Sequence, residues 1–481
     1  MRTPLANVDA AWHRMEEPAN RMVVTGVLVF DKPLPMKQLR GLLERRLLRF
    51  SRFRQRIVEP RGPLSVLSWE DDPEFSLDSH LVVARLPGRG TEAALQSFTS
   101  ELASQSFPKG RPPWKFHFVQ HYQGGSALIV RLHHSIGDGL ALVHVLLSMA
   151  DGAPQPRELE RRETNPEGLL NWVRTSLAGA AEAALSLPWR TAKDGLSLLS
   201  SPRRLIRSSA DAANHVASLV RLLLLPPDPQ TAFKGALGKR KKLVWSRPFR
   251  LDDFKAASGA TGTTVNDILM TALAGALRRY LLGRGAVRND LNIRAVVPVN
   301  LRPASEAHLL GNRFGLVFLS LPLGVEDPLD RLLELHRRMQ ALKKSPDPAA
   351  TFGLLWVMGQ LPRALFDLVV DLFGTKATTV VTNVVGPKES ISLLGVRLRQ
   401  AMFWVPCAGH LGLGVSLLSY AGSVWVGVQA DVGLVPEAEE LLANFELELK
   451  ALQAGRRVPW TRRSRRARKP RTTRSEKGTA S

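Results

Sequence analysis

The sequence is poor in cysteine and in aromatic residues, and no export signal is evident. Cys407 is the single cysteine among 481 residues, so an intramolecular disulfide and a cysteine-rich metal site are both excluded. Aromatic residues make up 6% of the chain, and no recognised nucleic-acid-binding motif accompanies them. The N-terminal segment carries charge early and has no apolar core, unlike a signal peptide. We therefore expect a cytoplasmic protein that does not bind nucleic acid.

A long apolar helix is also missing. The longest stretch without Asp, Glu, Lys or Arg runs from Gln400 to Ala430 and is long enough by count to span a bilayer. Its repeated glycines and the turn-like Tyr420-Ala421-Gly422 predict strands joined by a hairpin instead.

Acidic residues are outnumbered, with 43 Asp and Glu against 66 Lys and Arg, for a net charge of +23. This excess attracts anions, which include nucleic acid, anionic lipid and phosphate-rich ligands, and charge alone does not choose among them. Eleven of the basic residues follow Gly455 with a single acid among them. We expect a disordered tail at 456–481 that attaches the protein to a membrane or polyanion. For the arginines crowded at 40–56, a solvated helix face is favoured over a phosphate or lipid site.

The 44% hydrophobic content supports a large core, and strands mix with helices in both halves. We predict an α/β (α+β) protein with subdomains at 1–151 and 244–455, a helical connector at 152–243 and the tail at 456–481. The connector's amphipathic helices favour core packing, with a membrane surface as the alternative. Strands are predicted at 23–30, 115–122, 126–132, 292–301, 313–323 and 377–387, and helices at 35–50, 140–150, from 264 onward and at 436–453.

Titratable residues cluster in the segment His133-His134-Ser135-Ile136-Gly137-Asp138-Gly139, between a buried strand and an apolar helix. Histidine titrates close to neutral pH, so a positioned imidazole can take a proton from a hydroxyl and return it. His134 is the candidate base. Gly137 and Gly139 permit positive φ and close approach of the backbone.

Two residues of this motif also have plain structural interpretations. Asp138 stands just before a helix, where aspartate commonly caps the free N–H groups. His133 can hydrogen-bond within the turn and fix its shape. Similarly, Thr264 and Asp267 fit a capping box, which by itself would account for the pair Asn266-Asp267.

The motif His133–Gly139 resembles that of the CoA-dependent acyltransferase superfamily, and further segments narrow the resemblance to the wax ester synthase/diacylglycerol acyltransferases. The match runs in order from about residue 4 to 453. Condensation domains share HHxxxDG but not the later series. The segments are Pro4–Ala10, Pro113-Trp114, Val265-Asn266-Asp267, Pro298–Arg302, Gly311-Asn312-Arg313 and Asn383–Pro387.

The resemblance implies two chloramphenicol-acetyltransferase-like subdomains with an active-site tunnel at their interface. It implies catalytic roles for His134, His133 and Asp138, with Asp138 paired to an arginine, for which Arg52 and Arg54 are the candidates. It also implies substrate contacts at four further positions. These are Gly139, Trp114, Asn266 and Asp267.

Two departures from the family's pattern bear on specificity. Ser135 stands where members usually carry alanine, and Val385 stands where they carry proline in NVPGP. The resemblance places both at the pocket lining, where they would alter the acyl or alcohol preference.

The predicted activity is transfer of a fatty acyl group from acyl-CoA, as co-substrate, to diacylglycerol or a long-chain alcohol. We expect no metal and no cofactor. The expected location is the surface of a membrane or lipid inclusion. Two alternatives stay open: condensation-type transfer from a carrier protein, and a non-catalytic basic binding protein on the same fold.

Overall fold

The computed structural model of this chain describes residues 2–59, 66–88, 90–153, 217–303, 306 and 309–455. The predicted tail and residues 154–216 of the predicted connector lie outside the described residues. Every element and contact below belongs to the described part.

The first part of the chain alternates strands with helices, and two short 3₁₀ turns at Leu47–Arg49 and Ser51–Phe53 follow the second helix. The predicted helix at 35–50 therefore ends earlier than expected. The strands are β1 (Arg2–Pro4), β2 (Val23–Phe30), β3 (Gln55–Val58), β4 (Ser68–Asp71), β5 (Leu81–Ala84), β6 (Trp114–Tyr122) and β7 (Gly125–His133). The helices are α1 (Asn7–Arg14), α2 (Met36–Arg45), α3 (Leu77–His80), α4 (Glu92–Ala103) and α5 (Gly139–Met149).

The second part repeats this mixture after a helical segment at 217–224. Its strands are β8 (Lys241–Trp245), β9 (Phe249–Arg250), β10 (Ile293–Asn300), β11 (Phe314–Leu321), β12 (Thr379–Val385), β13 (Ser392–Leu393), β14 (Val396–Trp404), β15 (Leu413–Tyr420) and β16 (Ser423–Asp431). Its helices are α6 (Leu251–Thr261), α7 (Val265–Leu282), α8 (Pro328–Lys343), α9 (Asp347–Met358), α10 (Arg363–Thr375) and α11 (Ala438–Gly455). The strands and helices predicted at 292–301, 313–323, 377–387 and 436–453 are confirmed to within a few residues.

Two large mixed sheets organise these elements. One has the order β13-β14-β2-β7-β6-β5, and the other has the order β11-β10-β12-β15-β16-β8 with β9 on β16. A small sheet, β1-β4-β3, is not hydrogen-bonded to either of them. Parallel pairs occur at β5/β6, β10/β12 and β12/β15, and the remaining pairs are antiparallel. The mixed architecture confirms the predicted α/β class.

The two sheets do not follow the predicted linear division of the chain. β14, which that division assigns to the 244–455 subdomain, pairs with β2 of the first sheet, with Trp404 opposite Thr25. The side chain of Trp404 also reaches the second sheet, since a Cβ built on Gly427 would lie 2.8 Å from its Nε1. Two strands of the second part, β13 and β14, thus extend the first sheet, and β14 also packs against the other sheet.

Burial on both faces explains the composition of the central strands. All eight residues of β2 (VVTGVLVF) are buried, and β7 is buried almost throughout. A strand covered on both sides carries apolar residues at successive positions instead of alternating with polar ones. The largest apolar cluster takes side chains from both sheets, including Phe30, Leu128, Trp245 and Trp425, so the core is continuous between them.

Helix α7 crosses the second sheet and is buried along nearly its whole length. It begins with the predicted capping box: Thr264 Oγ1 accepts from the Asp267 amide, and Asp267 Oδ2 accepts from the Thr264 amide. Such caps satisfy N–H groups that the first helical turn leaves unpaired. This structural account of Asp267 is confirmed.

The uncharged stretch near the C-terminus forms strands. β15 and β16 pair as a hairpin whose turn holds Ala421 and Gly422 at positive φ, as the predicted hairpin requires. Among the described residues, no helix has the length and apolarity needed to cross a membrane.

Candidate active site

The HHxxxDG motif forms the connection from β7 to α5. His133 ends the strand, and Asp138 is the N-cap of α5, with its Oδ1 accepting from the Ala141 amide at 2.9 Å. The predicted capping role of Asp138 is therefore confirmed. Neither Gly137 nor Gly139 uses the positive φ that glycine permits. Gly137 does allow close approach, because it bridges to Gly311 in the second part of the chain.

Asp138 also carries a buried ion pair. Its Oδ2 lies 2.8 Å from Nη2 of Arg302 and accepts from the Arg313 amide at 3.0 Å. The prediction that Arg52 or Arg54 would be the partner is wrong. Arg302 follows β10 and is brought to Asp138 by the fold, whereas Arg54 donates to the Leu48 carbonyl oxygen.

Arg52 instead supports the motif from its other side. Its Nη2 lies 3.0 Å from Oδ2 of Asp9, and its Nη1 donates to the carbonyl oxygens of Ser135 and Ile136. The side chain is buried, so the prediction of a solvated arginine face fails at this residue. Burial of an arginine is tolerated here because its charge and several of its N–H groups have partners.

Asn312 completes the scaffold. Its side-chain amide donates to Asp9 Oδ1 and to the carbonyl oxygen of His134, both at 2.8 Å. The backbone amide of His134 donates to the Met22 carbonyl oxygen at 2.7 Å. Side chains and backbone from four separate segments thus fix the turn that carries the histidines, and such support holds a reacting group in one geometry.

The ring of His134 lies in an apolar environment. It stacks on Trp12, with ring centroids 4.6 Å apart and an interplanar angle of 19°, and it lies 5.7 Å from the Phe314 ring. Burial lowers its pKa to about 4 because a charged imidazolium is poorly solvated there. Nδ1 is buried and has no hydrogen-bond partner among the described residues. The ring is therefore neutral at pH 7, as a base must be before it accepts a proton.

His133 makes its contacts inside the turn. The amide and hydroxyl of Ser135 approach its Nδ1 at 3.1 and 2.7 Å. Because the amide can only donate, Nδ1 is an acceptor and Nε2 carries the ring proton. Ser135 is completely buried by this arrangement. Its side chain is therefore engaged with His133, while Val385, the other departure from the family pattern, lies on the exposed surface.

Glu16 is a site residue that the sequence analysis missed. Its Oε2 lies 3.0 Å from Nε2 of His133, and its Oε1 lies 3.4 Å from Arg21. Partial burial raises the pKa of Glu16, but the hydrogen bond to His133 and nearby positive charge outweigh this, so the pKa lies below its usual value. Nothing in the local sequence separates Glu16 from its exposed neighbour Glu17, so the contact emerges only in the folded chain.

The four predicted substrate-contact residues fall into two groups. Gly139 begins α5 beside the motif turn, and a Cβ built on it meets no atom within 4 Å, so open space adjoins it. Trp114 is buried in the core, where its indole N–H donates to the Phe53 carbonyl oxygen and its ring stacks on His80. The preceding residue, Pro113, contacts the motif directly, because its carbonyl oxygen accepts a hydrogen bond from the His133 amide.

Asn266 and Asp267 lie at the N-terminus of α7. Asp267 Oδ2 lies 2.7 Å from Nδ1 of His336, and Asn266 accepts from the Asn383 side chain at 2.8 Å. Asn383 belongs to β12, next to β10, which leads into Arg302. Asn266, Asp267 and Asn383 therefore lie near the same end of these strands as Arg302, the partner of Asp138. Among the described residues, no group of three His, Cys, Asp or Glu side chains is arranged to hold a metal ion.

Comparison with protein families assigns nearly the whole described chain. Residues 5–269 match the model of the wax ester synthase/diacylglycerol acyltransferase catalytic domain, and residues 310–453 match that of the WS/DGAT C-terminal domain. A probable diacylglycerol O-acyltransferase of Mycobacterium tuberculosis is 25% identical over 450 residues, which cover 92% of this chain and 94% of that relative. A second from the same organism is 27% identical over 407 residues, covering 83% and 87%.

Solved structures show the same fold. The wax ester synthase/diacylglycerol acyltransferase from Marinobacter aquaeolei superimposes with a TM-score of 0.66 at 21% identity, covering 95% of this chain and all of that one (100%). A trichothecene 15-O-acetyltransferase from Fusarium sporotrichioides gives 0.62 at 12% identity, covering 94% and 95%. The first condensation domain of the calcium-dependent antibiotic synthetase gives 0.58 at 15%, covering 95% and 97%. At these identities the structural likeness establishes the fold.

The family model carries the assignment further, because it covers more than half of the chain and includes the Asp9 scaffold and the HHxxxDG turn together. The chain belongs to the wax ester synthase/diacylglycerol acyltransferase family.

Proposed function

We propose that this chain transfers a fatty acyl group from acyl-CoA to the hydroxyl of diacylglycerol or a long-chain alcohol, with His134 as the general base. Family membership and the names of the mycobacterial relatives support the acyltransferase class. The observation that carries the role of His134 is its neutral, buried ring at a turn fixed from four segments. A tunnel between the two sheets stays a prediction of the family resemblance.

The reaction follows from this placement. The imidazole of His134 takes the proton of the acceptor hydroxyl as its oxygen attacks the thioester carbonyl carbon. When the tetrahedral intermediate collapses, the new ester C–O bond is retained, the C–S bond breaks and the departing CoA sulfur receives the proton from His134. The proton returns to the products, so no other acid or base is consumed.

Asp138 has a supporting role in this scheme. Its two oxygens are occupied by the Ala141 amide, the Arg313 amide and the Arg302 guanidinium. It therefore holds the turn and joins the two parts of the chain. It also supplies negative charge that favours the transient imidazolium of His134.

The decisive experiment is an assay of the purified chain with labelled palmitoyl-CoA and, separately, diacylglycerol and hexadecanol. Formation of labelled triacylglycerol or wax ester supports the proposal and identifies the acceptor. Transfer from a carrier-bound acyl donor but not from palmitoyl-CoA would favour the condensation-type alternative. No acyl transfer from either donor would favour a non-catalytic binding protein.

The lipid substrates and the basic charge support a location at the surface of a membrane or lipid inclusion in the cytoplasm. Each Lys or Arg that reaches an anionic surface contributes about 1 kcal/mol of attraction, which salt weakens. Deleting residues 456–481 should leave turnover of a detergent-dispersed acceptor nearly unchanged and reduce co-sedimentation with anionic vesicles at low salt. Preferential capture of nucleic acid by the tail would contradict this use of the charge.

A further inference from the structure

Helix α10 presents an uncovered row of leucines to solvent. Leu365, Leu368 and Leu372 recur at the spacing that places them on one helix face, and between 38% and 63% of each is exposed. Phe366, on the opposite side, is buried in the protein. When the inner face of a helix is already buried, an exposed apolar outer face commonly marks a surface that contacts something else.

The helical segment at 217–224 exposes three more apolar side chains, Val220, Leu223 and Leu224. It meets α10 at the helix end, where Nζ of Lys376 donates to the Leu223 carbonyl oxygen at 2.8 Å. Of the twelve large hydrophobic side chains exposed in the described part of the chain, six lie on these two helices. We call these six side chains the leucine face.

Charged residues adjoin both helices of the leucine face. The acids Asp367 and Asp371 on α10 are each paired, with Arg363 at 2.9 Å and His410 at 3.2 Å. On the side of the 217–224 segment, Arg221 pairs with Asp347 at the start of α9. Two further cations, Lys343 and Lys344, are exposed just before α9.

Helix α10 covers the apolar cluster that contains the neighbours of the His134 ring. Phe366 of α10 and Leu355 of α9 pack in one cluster with Trp12 and Phe314, the two rings that contact His134. Helices α9 and α10 therefore separate the catalytic histidine from the leucine face.

We propose that the leucine face is the surface by which this protein rests on an anionic lipid membrane. Exposed aliphatic side chains, with the cations Lys343 and Lys344 close in the chain to Asp347, the partner of Arg221, match the acyl region and the anionic head groups of such a membrane. The inference rests on the proposed function, because lipid substrates give the enzyme a reason to be there. It also identifies an apolar contact between the protein and the membrane, which the basic tail by itself does not supply.

The test replaces the leucines while keeping helix propensity. In the full-length chain, the variant Leu365→Gln/Leu368→Gln/Leu372→Gln is compared with a control, Leu282→Gln/Leu333→Gln/Leu447→Gln, whose leucines are between 40% and 49% exposed on other helices. Vesicles of phosphatidylglycerol and phosphatidylcholine are the probe, at low and at physiological salt. The affinity of the α10 variant for vesicles should fall by about tenfold or more, because three partly inserted leucines are lost. The control should bind as the wild type does.

Equal binding by the α10 variant and the wild type overturns the proposal, as does an equal loss in both variants. A second copy of the chain on this face would appear as a dimer that the α10 variant loses. Covering by residues 154–216 would appear as a lowered Tm of that variant with vesicle binding intact. Either result also overturns it. Turnover of a detergent-dispersed acceptor by the wild type reports on the proposed function separately, because that assay needs no vesicle.

A charge variant adds a second readout. Lys343→Gln/Lys344→Gln should weaken binding to phosphatidylglycerol vesicles at low salt and leave binding at high salt unchanged, because salt already screens those charges. Weakening that is the same on purely zwitterionic vesicles would contradict the role assigned to these cations.

Discussion

The guanidinium of Arg302 lies 2.8 Å from the carboxylate of Asp138, and the two residues are 164 positions apart in the chain. Both side chains are almost completely buried. The same carboxylate caps α5 through the Ala141 amide. One side chain therefore fixes the HHxxxDG turn locally and ties it to the second part of the chain.

Breaking this pair should cost both stability and activity. Removing one partner of a buried ion pair leaves an uncompensated charge and typically costs about 3–5 kcal/mol. We expect Arg302→Gln to lower the free energy of unfolding by that order, and Asp138→Asn to do so while keeping part of the cap. The double variant should lose less than the sum of the two, as measured by urea denaturation. Arg363→Gln, in an exposed pair, is the control and should cost about 1 kcal/mol or less.

Removing the imidazole of His134 should abolish most turnover. General base catalysis contributes about two to four orders of magnitude, so His134→Ala should lower kcat by that factor with the fold retained by circular dichroism. His121→Ala changes an exposed histidine of the first sheet and should be silent. His133→Ala should cost less than His134→Ala because His133 contacts the turn. Turnover close to wild type in His134→Ala would falsify the assignment of the base.

The pH dependence of stability should reflect buried neutral histidines. Burial lowers the pKa of His134 to about 4, and burial together with the nearby His133 charge lowers the pKa of His13 to about 4. Between about pH 6.5 and 4 the unfolded chain binds protons that the folded chain does not, so stability falls as pH falls through this window. Urea midpoints at pH 7.5 and 5 measure this. His134→Gln should flatten the slope; an unchanged slope would contradict burial of a neutral ring.

The acid limb of turnover should follow the same group. Because the pKa of His134 is held near 4, activity should persist at pH 5.5, where an ordinary histidine would already be mostly protonated. The measurement is kcat as a function of pH with the detergent-dispersed acceptor, over the pH range in which circular dichroism shows that the fold is intact.

Glu16 should act by orienting His133. Glu16→Gln keeps an oxygen acceptor 3.0 Å from the ring nitrogen and removes the charge, whereas Glu16→Leu removes both. If orientation is what matters, the Gln variant should retain most turnover and the Leu variant should lose about tenfold, the usual cost of a misplaced support around a catalytic group. Glu17→Leu, at the exposed neighbouring position, is the matched control. Equal loss in the Glu16 and Glu17 variants would assign the effect to the loop as a whole.

Much of the local structure was available from the sequence because its causes are local. The apolar run of β2, the capping box at Thr264 and the Asp138 cap depend on residues within a few positions of one another, and each is confirmed. The motif turn was located for the same reason. The family also followed from short segments read in order, since each segment keeps its residue types at fixed spacing.

Only the tertiary structure decided which distant residues meet. The resemblance implied an arginine partner for Asp138, with Arg52 or Arg54 as the candidates, but the loop after β10 supplies Arg302, and Arg52 pairs with Asp9. The crossing of β14 into the first sheet, and the Trp12 ring on His134, likewise join parts far apart in the chain. A cap or a strand is set by neighbouring residues, whereas a buried charge takes whichever opposite charge the packed sheets bring within reach. That pairing is a property of the whole fold.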